Sequence, residues 1–207
     1  MLSLEEENLL YRQGYTAVAG IDEVGRGPLA GPVVAAAVIL PSTIKYASWM
    51  EKVDDSKKLT SRQREDLFNY ICDAAVSHGI GIVNSMTIDF LGIAKATCLA
   101  MKQAVEQLVL SPEYLLIDYV KLPEVKIPQK GIVDGDARCF SIACASIIAK
   151  VCRDRIMDEM DRLYPGYNFA GHKGYGTREH LDNLRKLGPC PIHRRSFQPV
   201  KELLNDS

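Results

Sequence analysis

Residues 15–32 read Tyr-Thr-Ala-Val-Ala-Gly-Ile-Asp-Glu-Val-Gly-Arg-Gly-Pro-Leu-Ala-Gly-Pro. In this stretch an apolar strand runs into two adjacent carboxylates, Asp22 and Glu23, and then into a loop rich in glycine. Two anionic groups at the end of a buried strand are costly unless cations compensate them. Glycines leave no Cβ in the way, so the NH groups of the loop can approach an anion or a hydroxyl. The stretch therefore predicts a metal site for phosphate chemistry.

Apolar segments on either side of the glycine loop predict the start of a sheet. Residues 17–24 and 33–40 are rich in valine, isoleucine and alanine, so we expect two neighbouring strands. The segment Thr60-Ser-Arg-Gln63 has the form of a capping box and predicts a helix start. Further strands are expected at 79–84, at 113–120 and in the segment up to 133, and helical regions at 91–108, 140–164 and 178–187. This order predicts an α/β domain with a helical C-terminal part.

The bulk composition is that of a soluble globular protein. With 207 residues, 47% hydrophobic and 25% charged, the chain is long enough for one sizeable core, or for one domain with a small appendage. The acidic start is unlike a signal peptide, and the longest apolar run, 33–40, is too short to cross a bilayer, so we expect a cytoplasmic protein without a membrane partner. Cysteines without Cys-x-x-Cys spacing are expected to be reduced core thiols: Cys72, Cys98, Cys139, Cys144, Cys152 and Cys190.

Charge is unevenly distributed although the net charge is only −1. Between positions 171 and 201 the acidic residues are Glu179 and Asp182, and three of the four histidines lie there too. The basic residues of the same segment are Lys173, Arg178, Arg185, Lys186, Arg194, Arg195 and Lys201. This pattern predicts a local basic surface suited to nucleic acid, with a solvated tail as the alternative.

Two further carboxylates complete a candidate metal site. Asp118 stands late in the apolar segment 113–120, and Asp136 precedes a predicted helix. Carboxylate oxygens are the ligands that Mg²⁺ and Mn²⁺ prefer, and four such groups could hold two ions. Adjacent side chains of a strand point to opposite faces, so Asp22 and Glu23 can share a site only if the strand ends or distorts between them.

Structural roles are the alternatives for these acids. Any of them could cap a helix or form an ion pair with Arg26 or Lys150. For Asp136, which lies just before a predicted helix, an N-cap role is a serious rival explanation.

The motifs together resemble bacterial ribonuclease HII, the type 2 ribonuclease H, over nearly the whole chain. The matching segments are Gly20-Ile-Asp-Glu-Val-Gly-Arg-Gly-Pro-Leu-Ala-Gly-Pro-Val33, Asp55-Ser-Lys-Lys-Leu59, Leu116-Ile-Asp118, Gly135-Asp136, Ser141-Ile-Ala-Cys-Ala-Ser-Ile-Ile-Ala-Lys-Val151, His172-Lys-Gly-Tyr-Gly-Thr177 and His193-Arg-Arg-Ser-Phe197. The resemblance implies a ribonuclease H-like fold with a mixed central sheet flanked by helices. It also implies a catalytic core at 1–165 and a helical substrate-binding extension at 166–207.

The resemblance implies an acidic tetrad, Asp22, Glu23, Asp118 and Asp136, that binds two Mg²⁺ or Mn²⁺ ions, with Asp22 as our choice of bridging ligand. The implied reaction is endonucleolytic hydrolysis of RNA in RNA–DNA hybrids and of the bond 5′ to a ribonucleotide embedded in duplex DNA. It leaves a 3′-hydroxyl and a 5′-phosphate, with ions ~4 Å apart on either side of the reacting phosphate. A monomer is expected, with these nucleic acids as its partners.

The resemblance also assigns substrate contacts. The family reads the ribose through the backbone of Gly25, Arg26 and Gly27 and through one tyrosine, here Tyr175, for which a core or interface aromatic is the alternative. Lys57 and Lys58 would contact phosphates. The remaining substrate contacts are Ser146 and Lys150, for which a plain helix surface is the alternative, and His172 and Lys173.

Three positions depart from the family pattern. Tyr119 replaces a common glycine after the third aspartate, so the approach to Asp118 is expected to be tighter. Asp134 stands where a lysine is common and adds a negative charge near the site. Cys144 replaces a usual alanine and is expected to be buried.

Three other functions compete with this interpretation. A resolvase-like or transposase-like nuclease on the same fold would also carry carboxylates on strands, but the tyrosine and the Gly-Arg-Gly loop argue against it. A nucleotide-binding switch protein would use the glycine loop for phosphates, but the chain has no G-x-x-x-x-G-K-[S/T] motif. The third is a non-catalytic nucleic-acid-binding module in which the acids are structural.

Overall fold

A computed structural model describes residues 2–44 and 46–205, and its centre is a five-stranded mixed sheet. The strands are β1 (Val18–Val24), β2 (Val33–Ile39), β3 (Ser77–Val83), β4 (Tyr114–Asp118) and β5 (Gln129–Ile132), in the spatial order β3-β2-β1-β4-β5. The first three strands are antiparallel neighbours, whereas β4 pairs with β1 and β5 in parallel. The predicted hairpin and the predicted mixed sheet are confirmed.

Helices cover both faces of this sheet. They are α1 (Glu5–Arg12), α2 (Ser61–Ala74), α3 (Ser85–Leu91), α4 (Ile93–Glu106), α5 (Gly135–Arg138), α6 (Phe140–Leu163), α7 (Phe169–His172), α8 (Arg178–Leu187) and α9 (Val200–Asn205). One face packs on α4 and the other on α2 and α6, because inward side chains alternate along the strands. Within the described residues no helix is both long and apolar enough to span a membrane.

Local sequence signals explain most helix ends. Thr60 and Gln63 form the predicted capping box at the start of α2. The helical region expected at 91–108 is α4, which starts at Ile93 because Gly92, with φ 78°, ends the preceding helix α3. The short helices were not predicted from the sequence: α1, α3, α5, α7 and α9. The six cysteines are free, and three of them, including Cys144, are buried.

Helix α6 lies unusually close to β1. A Cβ at Gly20 would lie 2.2 Å from the carbonyl carbon of Ser141, so only glycine permits this approach. Since α6 carries Ser146 and Lys150, the close packing sets their distance from the end of β1.

The C-terminal segment packs against the loop between β1 and β2. Ala30 lies in an apolar cluster with Phe169 and Met157, and Leu29 packs with Leu184 and Val200. An isolated bridge pairs Ala30 with His193. The segment after α6 is therefore anchored directly on the glycine loop.

Candidate active site

The carboxylates of β1 lie at an open edge of the sheet. Strand β1 pairs with β4 only as far as Ile21, but its ladder with β2 runs without interruption through Asp22 and Glu23. The expectation that the strand must end or distort between these two acids is therefore wrong. Both can border one cavity because β4 no longer covers β1 beyond Ile21, so the space past this edge is open to both faces.

A cavity of about 510 Å³ occupies that space, and all four predicted carboxylates line it. They come from three separate segments, the end of β1, the last residue of β4 and the short helix α5. The other predicted residues that line the cavity are Gly25, Arg26, Gly27, Lys57, Ser146, Lys150 and Tyr175.

Asp22 is the most deeply buried of the four acids, at 4% exposure. Burial and the neighbouring Glu23 charge raise its pKa well above the usual range, whereas a hydrogen bond with the Ser146 hydroxyl opposes the increase. Its Oδ1 also accepts the Glu23 backbone NH at 2.7 Å. Asp22 is therefore a fixed carboxylate in surroundings that favour a nearby cation.

Glu23 and Asp118 are held by different groups. Burial raises the pKa of Glu23, and Arg26, whose Nη1 lies 3.3 Å from Glu23 Oε1, counteracts this. Burial also raises the pKa of Asp118, while its Oδ1 accepts the Gly135 backbone NH at 2.7 Å. A Cβ at Gly135 would lie 3.1 Å from the same oxygen, so the α5 backbone is packed against the carboxylate.

Asp136 faces the cavity rather than capping a helix. It is the second residue of α5, and the N-cap position is occupied by Asp134, whose side chain makes no capping bond. Its Oδ2 pairs with Lys57 Nζ at 3.4 Å. The N-cap interpretation is therefore wrong for Asp136, and Asp134 itself is exposed and outside the cavity lining.

The donor chemistry of this cavity suits a divalent cation. Four carboxylates converge, and burial first, then repulsion from a neighbouring carboxylate, raises the pKa of Asp22, Glu23 and Asp118. Within residues 2–44 and 46–205, no three histidine, cysteine, aspartate or glutamate side chains are already gathered at ligand spacing. Arg26 and Lys57 instead each engage one carboxylate. The four carboxylates are suitable ligands for a divalent cation, and the Arg26 and Lys57 side chains would compete with that cation for Glu23 and Asp136.

Tyr175 is placed by a network of buried histidines. Its backbone NH donates to the His172 carbonyl at 2.9 Å, and its carbonyl is 2.9 Å from His180 Nδ1. The preceding Gly174 has φ 81°, and a Cβ there would lie 2.4 Å from the Ala30 carbonyl oxygen. The ring, 43% exposed, therefore projects into the cavity beside Gly27.

Three predicted substrate contacts lie outside the cavity lining. Lys58 pairs with Asp54 at 3.3 Å on the surface. His172 is buried and uses both ring nitrogens within the protein, on the Tyr167 carbonyl and the Gly174 NH. Lys173 pairs with Asp158. The structure therefore gives His172 a role in shaping the turn before Tyr175, not a position against a ligand in this cavity.

Two polar residues that line the cavity, Ser56 and Arg64, were given no role by the sequence. Ser56 is buried and its Oγ lies 3.0 Å from Ser146 Oγ, next to Asp22. Arg64 donates to the Ser56 carbonyl at 2.9 Å and pairs with Asp154 at 3.4 Å. Asp154 also accepts from Lys150 at 2.6 Å, and burial lowers the pKa of Lys150. The only sequence signal was the Asp55–Leu59 motif, which contains Ser56 but not Arg64.

Tyr119 and Arg194 both lie outside the cavity lining. Tyr119 adopts φ 59° and is 69% exposed, and it does not line the cavity. The glycine common in the family would adopt this backbone without strain. Arg194 was counted in the basic surface, but it is fully buried, so that part of the prediction is wrong.

Known proteins similar to this chain agree with the family resemblance of its motifs. The family model described as Ribonuclease HII matches residues 19–200. A ribonuclease HII of Dehalococcoides mccartyi is 57% identical over 97% of this chain and 94% of its own length.

Two solved structures have the same fold. The ribonuclease H2 of Pyrococcus horikoshii OT3 superposes with a TM-score of 0.76 at 24% identity, covering 92% of this chain and 98% of that one. Bst-RNase HIII in complex with Mn²⁺ gives a TM-score of 0.66 at 19% identity, covering 95% and 71%. The fold is thus ribonuclease H-like. By its family model and its close relatives, the chain belongs to the ribonuclease HII family of ribonuclease H hydrolases, which cleave the RNA of RNA–DNA hybrids.

Proposed function

We propose that this enzyme also nicks duplex DNA on the 5′ side of a single embedded ribonucleotide, leaving a 3′-hydroxyl and a 5′-phosphate. The observation that carries the proposal is the shared cavity of four carboxylates, the Gly25–Gly27 loop and Tyr175. Carboxylates suit the metal-assisted hydrolysis of a phosphodiester, and a loop without side chains beside an aromatic ring suits a ribose. A site that reads one sugar needs no long stretch of RNA.

Two Mg²⁺ or Mn²⁺ ions are the proposed cofactors, held by Asp22, Glu23, Asp118 and Asp136. When bound, such ions lower the pKa of an attacking water and stabilise charge on the leaving oxygen. Bst-RNase HIII, which shares the fold, was crystallised in complex with Mn²⁺. Asp22 is the proposed bridging ligand, since it is the most buried acid and has the Glu23 and Asp118 carboxylates as charged neighbours.

The other cavity residues position the duplex. The Lys57 side chain is 79% exposed, so its ion pair with Asp136 is weak. Its ammonium group can leave Asp136 and bind a phosphate oxygen at little cost in free energy. Arg26 can make the same exchange at Glu23, since its side chain is 47% exposed. Lys150 is more restricted because it is half-buried and bonded to Asp154. Contacts of this kind orient a backbone without reading its sequence.

Ribose recognition is assigned to the loop and to Tyr175. The 2′-hydroxyl is the group that distinguishes a ribonucleotide from its neighbours in DNA. Backbone groups of Gly25, Arg26 and Gly27 would bond to it, while the Tyr175 ring packs against the sugar. The ring belongs to the segment 166–207, which we propose as the substrate-binding extension of a 1–165 core in a monomeric enzyme.

The test is product mapping on a labelled DNA duplex that contains one ribonucleotide, with Mg²⁺ or Mn²⁺. We expect a single nick 5′ to that residue, a 3′-hydroxyl on the upstream fragment that a polymerase can extend, and no cleavage in EDTA. An all-DNA duplex of the same sequence is the matched control. Cleavage of an RNA–DNA hybrid without cleavage of the single-ribonucleotide duplex would overturn the proposal.

A further inference from the structure

Arg194 is a fully buried arginine that binds the glycine loop through its backbone carbonyls. Its Nη2 donates to the Gly25 carbonyl at 2.5 Å, Nη1 to the Arg26 carbonyl at 2.9 Å and Nε to the Gly31 carbonyl at 3.0 Å. It forms no ion pair within the described part of the chain. Burial and the nearby Arg153 charge lower its pKa to about 9, so it remains a cation at neutral pH.

These bonds orient the loop. With the carbonyls of Gly25 and Arg26 turned towards Arg194, the loop is fixed in one register beside the cavity. Across residues 2–44 and 46–205, the NH groups of Arg26 and Gly27 donate no hydrogen bond to another protein group. The loop thus has the carbonyls of Gly25 and Arg26 occupied and the NH groups of Arg26 and Gly27 available, as recognition of a hydroxyl oxygen requires.

A carboxylate on α3 holds the arginine in place. Asp89 accepts the backbone NH groups of Arg195 and Ser196 at 2.9 Å each, and the Ser196 hydroxyl at 2.6 Å. The Phe197 ring centroid lies 5.0 Å from the Arg194 guanidinium carbon. The turn after Arg194 is therefore tied to the sheet domain, and its position determines where the guanidinium group lies.

We propose that Arg194 is a positioning residue for ribose recognition, acting through the Gly25–Gly27 backbone, and that Asp89 supports it from α3. The proposal rests on the assignment of that loop to the ribose. It gives the C-terminal segment a second contribution to specificity, besides the Tyr175 ring. It also explains why an arginine in a basic stretch is withdrawn from the surface.

Binding measured without cleavage tests this. Fluorescence anisotropy in EDTA gives the dissociation constants for an all-DNA duplex and for the same duplex with one ribonucleotide. The ratio of the first constant to the second is the preference for a ribonucleotide. Arg194→Lys keeps the charge but cannot span three carbonyls with one nitrogen. We expect it to reduce the wild-type preference about tenfold, the scale of one lost hydrogen bond, while affinity for all-DNA duplex is retained.

Asp89→Asn is the second variant, for the case in which Arg194→Lys does not fold. It weakens the 195–196 turn without touching the loop, and a reduction of the preference in the same direction is expected. Glu113→Gln is the matched control, because Glu113 likewise accepts two backbone NH groups and a hydroxyl, from Thr16 and Ala17, far from the cavity. The control should keep the wild-type preference.

The outcomes separate this inference from the proposed function. If folded Arg194→Lys keeps the wild-type preference, the role of Arg194 is overturned and the proposed function is not. If Arg194→Lys does not fold, an unchanged preference in Asp89→Asn has the same meaning. So does an equal reduction in Glu113→Gln, since any weakened turn would then have the same effect. A wild-type protein with no preference would overturn ribose recognition by the loop, and the inference with it.

Discussion

Folding stability should depend on the protonation of His193. Its Nδ1 accepts the Cys190 backbone NH at 3.0 Å, and its Nε2 lies 3.0 Å from His180 Nε2. A neutral His193 that donates from Nε2 satisfies both contacts, and His180 can then donate from Nδ1 to the Tyr175 carbonyl at 2.9 Å. A proton on Nδ1 would instead face the NH of Cys190. Burial, together with the charge of His180, lowers the pKa of His193 to about 4.

The direction and size of the effect follow from linkage. Between pH 6.5 and about 4 the unfolded chain binds a proton at His193 that the folded protein excludes, so acid favours unfolding. The stabilisation is complete above the unfolded pKa of 6.5 and decreases as the pH falls towards about 4. At about 1.36 kcal/mol for each pH unit, this range corresponds to about 3 kcal/mol.

The assay is urea unfolding at several pH values between 7.5 and 4. His193→Asn removes the titrating group and keeps an acceptor near the Cys190 NH. We expect the unfolding free energy of the wild type to decrease by about 3 kcal/mol more than that of the variant over this range. His78→Asn is the control, because His78 is exposed on β3, and it should follow the wild type. Equal pH dependence in wild type and His193→Asn would show that protonation of His193 does not control stability in this range.

Three further substitutions test the site and its support. Gly135→Ala places a Cβ 2.7 Å from Ile142 Cδ1 and 3.1 Å from Asp118 Oδ1, so the Asp118 carboxylate must shift and we expect kcat to fall about tenfold in a cleavage assay; an unchanged kcat would contradict this. Ser146→Ala removes a hydroxyl beside buried Asp22 and should lower the urea unfolding free energy by about 1–3 kcal/mol. Wild-type stability would show that the contact is dispensable. Gly20→Ala places a Cβ 2.2 Å from the α6 backbone and should destabilise by about 3 kcal/mol or more. An unchanged melting temperature would be inconsistent with that packing.

Local patterns were sufficient where the determinants are local. Helix α8 has the predicted bounds because Thr177 caps its start and Gly188, with φ 72°, ends it. The strand that carries Asp22 and Glu23 was predictable from its apolar run. The convergence of Asp118 and Asp136 on these acids was implied by the family resemblance. The parallel pairing of β4 with β1 brings in Asp118, and the Gly135 NH bond to Asp118 brings Asp136 beside it.

Long-range contacts could not be predicted from the sequence. Arg194 binds carbonyls 163 to 169 positions away, and a charged residue in a basic stretch gives no local sign of burial. Arg64 is hidden in the same way, in an amphipathic helix that gives it the pattern of a surface residue. Helix α3 was not predictable from apolar spacing because its seven residues are shorter than the window in which a helical period can be recognised.

The four carboxylates are proposed to form a metal site for cleavage beside a ribonucleotide. The most direct measurement compares the wild type with Asp22→Asn on a duplex containing one ribonucleotide, scoring metal-dependent nicking and duplex binding together. We expect the substitution to abolish nicking while the folded variant still binds the duplex. Nicking by Asp22→Asn at the wild-type rate would exclude the carboxylate site from the reaction. Absence of nicking by folded wild-type protein that binds the duplex with either metal would exclude the reaction itself.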